Sequence, residues 1–465
     1  MSFLTSLKTR ILLTRERTYH LVITAPYAYT HAKITSFFTS LKTGNWLTQE
    51  RVSRIVIIAL YVYAIALLFL VGFSYHGVDY QGRPLGTDFS NIYAAGKMAL
   101  NGDAVDVYNY QKHYQMQQDV FAGQNIPFYG WHYPPFLLII AMGLAYFPYV
   151  LALFIWQIST LFLFLLSIRI IVKTYKPVPL HNARQNLNIR NVPETKFFVL
   201  LALAFPAVFL NLGHGHTGFL CAALFGLGLL YAPTRPYLSG LFLGLLVFKP
   251  QFGVLIPIAL IAMNARRTFF SASFTVLTLC VLTIFIFGFN IWFAFFESLQ
   301  LTQNYVLETG ATGWHKMQSL FAAVRMNGGN ISAAYAAQAT YVLVLAVIVF
   351  FTWRSRLSYD LKACLLLTAS LLATPYMIDY DLVMLAPALC FFGFYAHQNG
   401  FLGYEKTLLA VTWTMPILAR PIADISKVPF GFIMLSLFCL LILWRAYLEY
   451  SGKRMRQGVM LDAQA

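Results

Sequence analysis

Long apolar runs, each closed by a short charged or Pro/Gly-bearing stretch, fill the chain from about residue 55 to residue 446. Where no water reaches, only a helix satisfies its own backbone, so runs approaching 20 apolar residues predict membrane crossings. The pattern places them at about 55–73, 150–172, 197–212, 217–231, 269–289, 332–353, 361–374, 382–395, 406–419 and 430–444. The stretch 238–263 reads as one span, or as two short ones hinged at Lys249-Pro250-Gln251. One span would strand Arg266, Arg267, Arg354, Arg356, Lys453, Arg454 and Arg456 outside, whereas a hairpin puts them all inside, so charge bias selects the hairpin. The expected fold class is an all-α polytopic membrane protein with about twelve transmembrane helices, both termini cytoplasmic and a plasma-membrane location.

Between the first two crossings the pattern changes. Residues 74–135 carry Asp79, Asp88, Asp103, Asp106 and Asp119 against Arg83, Lys97 and Lys112, an acidic excess that belongs outside. Helical spacing over 89–100 and 107–121, broken at Asn101-Gly102-Asp103, predicts interfacial helices. The apolar run that starts at Trp131-His132-Tyr133-Pro134-Pro135 stops at Pro148. As a helix it covers only about 18 to 20 Å, too short to cross, and reads as interfacial or re-entrant. Lys173, Lys176, Arg184, Arg190 and Lys196 then mark an inner loop.

This divides the chain into a basic amphipathic leader (1–54), a single membrane catalytic domain (55–446) with outer loops at 74–148 and 290–331, and a cytoplasmic tail (447–465). The leader repeats itself: 2–17 recurs as 36–51 with eleven of sixteen positions identical, either a tandem duplication lying on the inner leaflet or an early start codon. It lacks a continuous apolar core, so the first span is expected to be an uncleaved anchor.

Composition agrees: 59% hydrophobic, 17% aromatic and 11% charged residues are too apolar for a water-solvated surface. The net charge of +16 is scattered over loops, which fits anionic headgroups and not nucleic acid. Cys221, Cys280, Cys364, Cys390 and Cys439 lie singly in apolar runs and read as core thiols. Phosphate-loop, dinucleotide, zinc-protease and serine-hydrolase motifs are all missing from the sequence.

With only 17 acidic residues among 465, a carboxylate where the chain leaves the membrane stands out. Asp88, in GTDFSNIYAAGKM, reads as a helix cap with Thr87, or as a partly desolvated general base toward a hydroxyl. Lys249 lies amid apolar residues and reads either as a lysine snorkelling to the interface or as the partner of an anion such as a lipid phosphate. Arg325 and Arg420 are outer-face cations that could help hold that phosphate. His214 and His216 are two apart with no third ligand nearby, which favours a turn or a substrate contact over a metal site. His132 and His315 are loop residues, either interfacial or substrate-facing. Asp379 and Asp381 form a cation-binding pair or a solvated turn. Tyr129, Trp131 and Trp314 could stack on sugar rings or belong to an aromatic belt. No metal site or cofactor is indicated, although a divalent ion is not excluded.

Asp88 followed by Tyr93-Ala94-Ala95, Leu100-Asn101-Gly102, Val107-Tyr108, Tyr133-Pro134-Pro135, the 213–218 turn and Lys249-Pro250-Gln251 form an ordered set. This set resembles polyprenyl-phosphate-dependent glycosyltransferases of the C-type membrane fold, and most closely glycosyltransferase family 87, which includes mycobacterial mannosyltransferases. The resemblance implies an outward-facing site, Asp88 as base and a lipid-monophosphate sugar donor, with Tyr93 and Tyr133 among the substrate-binding positions and Gln251, beside Lys249, on the donor phosphate. Where the family often has Gln in the turn, this chain has His214 or His216. Beyond about Phe269 the likeness is one of hydropathy.

The chemistry suits these residues independently. A lipid-phosphate sugar has an acidic leaving group and needs no general acid, so one carboxylate and in-line attack would invert the anomeric centre. Lys249, with Arg325 or Arg420, would stabilise charge on the departing phosphate. The expected partners are a polyprenyl-phosphate sugar, a glycolipid or glycan acceptor, and membrane lipids. The rivals are a secondary transporter or lipid-linked sugar flippase, and a lipid-diphosphate-dependent ligase or polymerase.

Overall fold

The structure, a computed structural model, describes residues 33–175 and 195–462, with side chains to 452. Most of the described chain is helical, and its only extended pairing is three isolated bridges. The first copy of the leader repeat and the basic positions Lys176, Arg184 and Arg190 lie outside the described residues. The second copy is helical over 36–43 and then leads into α1.

Helix α1 (Gln49–Gly72) opens with Thr48, whose side chain accepts from the Arg51 N–H, and only Val56 along it is buried, as suits a helix facing lipid. A layer of shorter helices follows, built from α2 (Thr87–Leu100), α3 (Tyr110–Val120) and the nine-residue α4 (Phe136–Leu144). Nine residues of α2 are buried. Gly96 lets α2 lie on α4, because a Cβ there would come 2.1 Å from the Ala141 carbonyl oxygen. The expected break at Asn101-Gly102 and the short, non-crossing helix after Pro135 are both present.

The long α5 (Tyr149–Tyr175) precedes α6 (Thr195–Leu203) and α7 (Pro206–His214), which meet at a 50° bend. Pro206 starts α7 without an amide hydrogen, which ends the α6 ladder there. Next come α8 (Gly218–Tyr231), α9 (Pro236–Leu245), α10 (Ile256–Ala262) and α11 (Arg266–Phe287). Ser271 Oγ donates to the Tyr237 carbonyl (2.8 Å), and Gly240 and Gly244 lie against the Thr268 and Ala272 carbonyls. The two helices therefore advance together, and α9 and α11 run parallel. The chain between them must turn back, so 238–263 is the hinged hairpin that charge bias selects, broken at Lys249-Pro250.

The remainder comprises α12 (Asn290–Thr302), α13 (Leu320–Met326), α14 (Ile331–Arg354), α15 (Tyr359–Ala373), α16 (Leu385–Asn399), α17 (Glu405–Ser426) and α18 (Phe430–Asp462). Among the described residues seven helices are long and apolar enough to cross a membrane, counting α16 with the turn before it as Asp379–Asn399, or eight if α6 and α7 make one span. That is fewer than the expected dozen. The difference comes from α8, α9, α10 and α15, which have 14, 10, 7 and 15 residues and are short for a ~30 Å hydrocarbon core.

The bundle has two chemically distinct ends. At one, Arg445 pairs with Glu405, Tyr175 bonds Asp360, and Trp46 Nε1 donates to Thr407. The C-terminus of α7, the α9–α10 hinge, the segment before α16 and the last turns of α17 meet at the opposite end. The candidate residues sit there.

Candidate active site

The site is built by chain breaks. Gly215 ends α7 in a left-handed turn (φ +64°), and a Cβ there would come 2.7 Å from Phe89 Cβ, so the histidine turn rests directly on the start of α2. Helix α5 clamps the same corner: Trp156 Nε1 donates to the Gly215 carbonyl at 3.0 Å, and the Tyr149 hydroxyl donates to Leu85 O. The buried Asn211 amide, oriented to satisfy its neighbours, donates to His216 O and accepts from Gly218 N. These contacts bring residues more than a hundred positions apart to one place.

Two ion pairs form the floor. Lys249 Nζ, 5% exposed, donates to Asp381 Oδ1 at 2.7 Å and to His216 Nε2 at 3.1 Å. The Tyr133 hydroxyl reaches the same His216 nitrogen at 3.2 Å, while His216 Nδ1 faces Asp381 at 3.7 Å. A neutral imidazole protonated on Nδ1 fits those contacts. Arg420 Nη2 donates to Asp379 Oδ1 at 2.6 Å and lies 3.3 Å from His214 Nε2. Its Nε also approaches Asp379 Oδ2 at 2.6 Å, an ionic contact without hydrogen-bond alignment. Between the pairs, the Tyr380 ring stacks on His216 with centroids 3.8 Å apart and meets His214 at 5.1 Å.

Asp88 differs from both buried carboxylates. It lies in the first turn of α2, whose cap is Gly86 and which receives no side-chain capping bond, so the capping reading of Asp88 or Thr87 does not hold. Among the described residues its carboxylate has no hydrogen bond and no ion pair, and it keeps part of its surface open. Protein still surrounds it on most sides. Burial pushes its carboxyl up to about 7. Lys249 acts against that shift, the negative charge of Asp381 adds to it, and Arg420 and Lys316 pull it back down. Asp88 and Lys249 are therefore close enough to feel each other's charge.

The other candidates separate. Tyr93 is buried and donates to the Phe147 carbonyl at 2.8 Å, packing edge-on against Tyr149, so it is part of the packed core of that layer. Arg325 donates to Gly329 O and Glu308 O and lies over the Trp314 ring, holding the second loop together. Trp314 itself donates to Leu307 O at 2.9 Å. His132 Nδ1 meets Thr302 Oγ1 at 2.9 Å beside a cavity of about 50 Å³ lined by Tyr108, His113, Trp131 and Tyr305. His315 is 3.8 Å from Asp424. The Gln251 carbonyl accepts from Thr374, which ties the hinge to the end of α15.

Sequence reasoning took Lys249 to want an external anion and left Asp379 and Asp381 as a cation pair or a solvated turn. In the structure each aspartate takes one internal cation. Tyr380 went unnoticed although it stands between the two aspartates. Among the described residues, no three His, Cys, Asp or Glu side chains gather as a metal would require.

One comparison bears on identity. The family model of glycosyltransferase family 87 matches residues 131–375, just over half of the chain. The chain belongs to that family and is a glycosyltransferase. The matched span holds Tyr133, both histidines of the turn, Lys249 and the second loop; Asp88, Asp379, Asp381 and Arg420 fall outside it. Comparisons with curated proteins and with solved structures returned no match.

Proposed function

We propose that this glycosyltransferase moves a sugar from a polyprenyl-phosphate carrier to a hydroxyl of a glycolipid or glycan acceptor, with inversion and with Asp88 as the base. One observation carries the reading. Of the three carboxylates in the site, Asp379 and Asp381 are each neutralised by a cation, while Asp88 is the one left without a partner among the described residues. A base must be free to take a proton, and a carboxyl poised near neutrality is matched to that task.

In the step, the acceptor oxygen attacks the anomeric carbon and its proton passes to Asp88. The bond from that carbon to the phosphate oxygen breaks, and its electron pair leaves with the lipid phosphate. The leaving group is stable as an anion, so no second acid is needed. Lys249 and Arg420, fixed on their aspartates, contribute positive field as charge collects on the phosphate. His216 holds Lys249 in place, and Tyr133 holds His216. In this reading mannose as the sugar rests on the family likeness, and the outer face of the plasma membrane as the place rests on the charge bias of the loops.

The test is transfer of radiolabelled sugar from a polyprenyl-phosphate donor to membrane lipids by purified protein, comparing wild type with Asp88→Asn. The variant should fold and bind donor yet form no product; undiminished transfer would remove Asp88 from this role. Movement of the sugar lipid across proteoliposomes without a new glycosidic bond would favour a flippase instead.

A further inference from the structure

Charge at the site does not balance on protein groups alone. Lys249 is matched by Asp381 and Arg420 by Asp379. Two cations remain. Lys316 Nζ makes no hydrogen bond, ion pair or ring contact with the described residues, and neither does the Arg83 guanidinium, whose backbone is held by Asp79.

Lys316 is not a loose surface lysine. Its loop is fixed on the segment that carries both buried aspartates: Met317 bridges Ile378, and Gln318 N donates to the Met377 carbonyl at 2.7 Å. On its other side His315 faces Asp424 of α17, one turn beyond Arg420. The side chain is half-buried, and burial lowers its pKa, helped by Arg420 and Arg83 and opposed by Asp379 and Asp88. The bridge to Ile378 and the His315–Asp424 contact place the Lys316 loop beside Asp379 and the end of α17 that carries Arg420. Arg83 stands five residues before Asp88, and its charge reaches both Lys316 and Tyr129. A half-buried ammonium next to other cations, within reach of the Asp88 charge but bonded to no carboxylate, is costly unless a further anion joins it.

From these two unpaired cations, the half-buried Lys316 and the exposed Arg83, we infer that Lys316, with Arg83, is the seat of the donor's phosphate group. The inference rests on the lipid-phosphate reading above and assigns the direct contact to Lys316 instead of Lys249. It also gives the contact a direction. The donor is a phosphodiester with one negative charge, and the departing monophosphate gains a second, so two free cations bind the leaving group more tightly than the donor.

The experiment uses full-length protein in detergent and three probes: a ten-carbon isoprenyl monophosphate, the matching isoprenyl alcohol and inorganic phosphate. Wild type should prefer the monophosphate to the alcohol. Lys316→Gln should weaken monophosphate binding by about ten- to a hundredfold, the loss of one charge-assisted contact, and leave alcohol binding unchanged. Lys316→Arg should restore most of the affinity, which a variant that merely misfolds could not show. Unchanged monophosphate binding by a folded Lys316→Gln overturns the inference and leaves the enzymatic reading intact. No preference of the wild type for monophosphate over alcohol overturns both. Displacement by inorganic phosphate at the same concentrations would make the seat one for free phosphate and refute the lipid assignment.

Discussion

Replacing Lys249 by methionine removes a charge of nearly the same volume from the most buried ion pair of the site. Lys249 and Asp381 are 5% and 2% exposed, and their charged atoms are 2.7 Å apart. At an effective dielectric of about 20 that separation corresponds to roughly 6 kcal/mol of attraction, much of it offset by the loss of hydration when both groups were buried. What remains after the lysine is removed is an uncompensated carboxylate, at a cost of about 3 to 5 kcal/mol. Asp381→Leu should cost a similar amount by stranding the ammonium against His216. The double variant should recover much of the loss, because two apolar side chains then face each other, giving a coupling of about 2 kcal/mol or more. Denaturant unfolding in mixed micelles, followed by tryptophan fluorescence, would read the four corners of this cycle. A second readout is the pH midpoint of transfer, which should rise in Lys249→Met because the lysine's charge holds the Asp88 carboxyl down. Single losses that add to within about 0.5 kcal/mol would refute the pair as a structural unit. So would a Lys249→Met protein of undiminished stability that had lost only donor binding.

Two further outcomes follow from the geometry. Transfer under subsaturating donor should rise with pH through a midpoint at about 7, because the Asp88 carboxyl must ionise to act and burial raises it to that value. A rate that is flat between about pH 5 and 8 would contradict it. Gly215→Ala should sharply reduce transfer and cost about 1 to 3 kcal/mol of stability, since the added Cβ meets Phe89 Cβ at 2.7 Å and the residue holds φ +64°. Normal activity with normal thermal stability would show that the turn does not need its close approach to α2.

Much of the architecture was legible from hydropathy and charge because the bilayer imposes simple rules. The short helix before Pro148, the break at Asn101-Gly102 and the hinge at Lys249-Pro250 all follow from helix length, glycine and proline. Periodicity fails where helices are short and buried on all sides, as in α15, whose residues from Leu361 to Ala373 are all buried. Such a segment shows no outward face, so length alone decides whether it is counted as a span. The site was legible in its ingredients but not in its pairings. Tyr93, in a segment that carried the family likeness, turned out to be core, and Arg325 turned out to brace a loop.

The sequence by itself determined that this is a membrane-embedded helical protein whose rare acids and cations gather near chain breaks, and it drew attention to Asp88. It could do so because solvation energy depends on residue type and run length, which are local properties. Only the tertiary structure decided which carboxylate stays free. Asp379 and Asp381 are chemically the same as Asp88, and nothing local distinguishes them. The difference is a cation brought from 41 residues away for one and 132 for the other, while no described cation comes within bonding distance of Asp88. Charge pairing across such separations is set by how the hinge, the histidine turn and α17 pack, so the role of the stretch from Gly86 to Met98 depends on helices far from it in sequence.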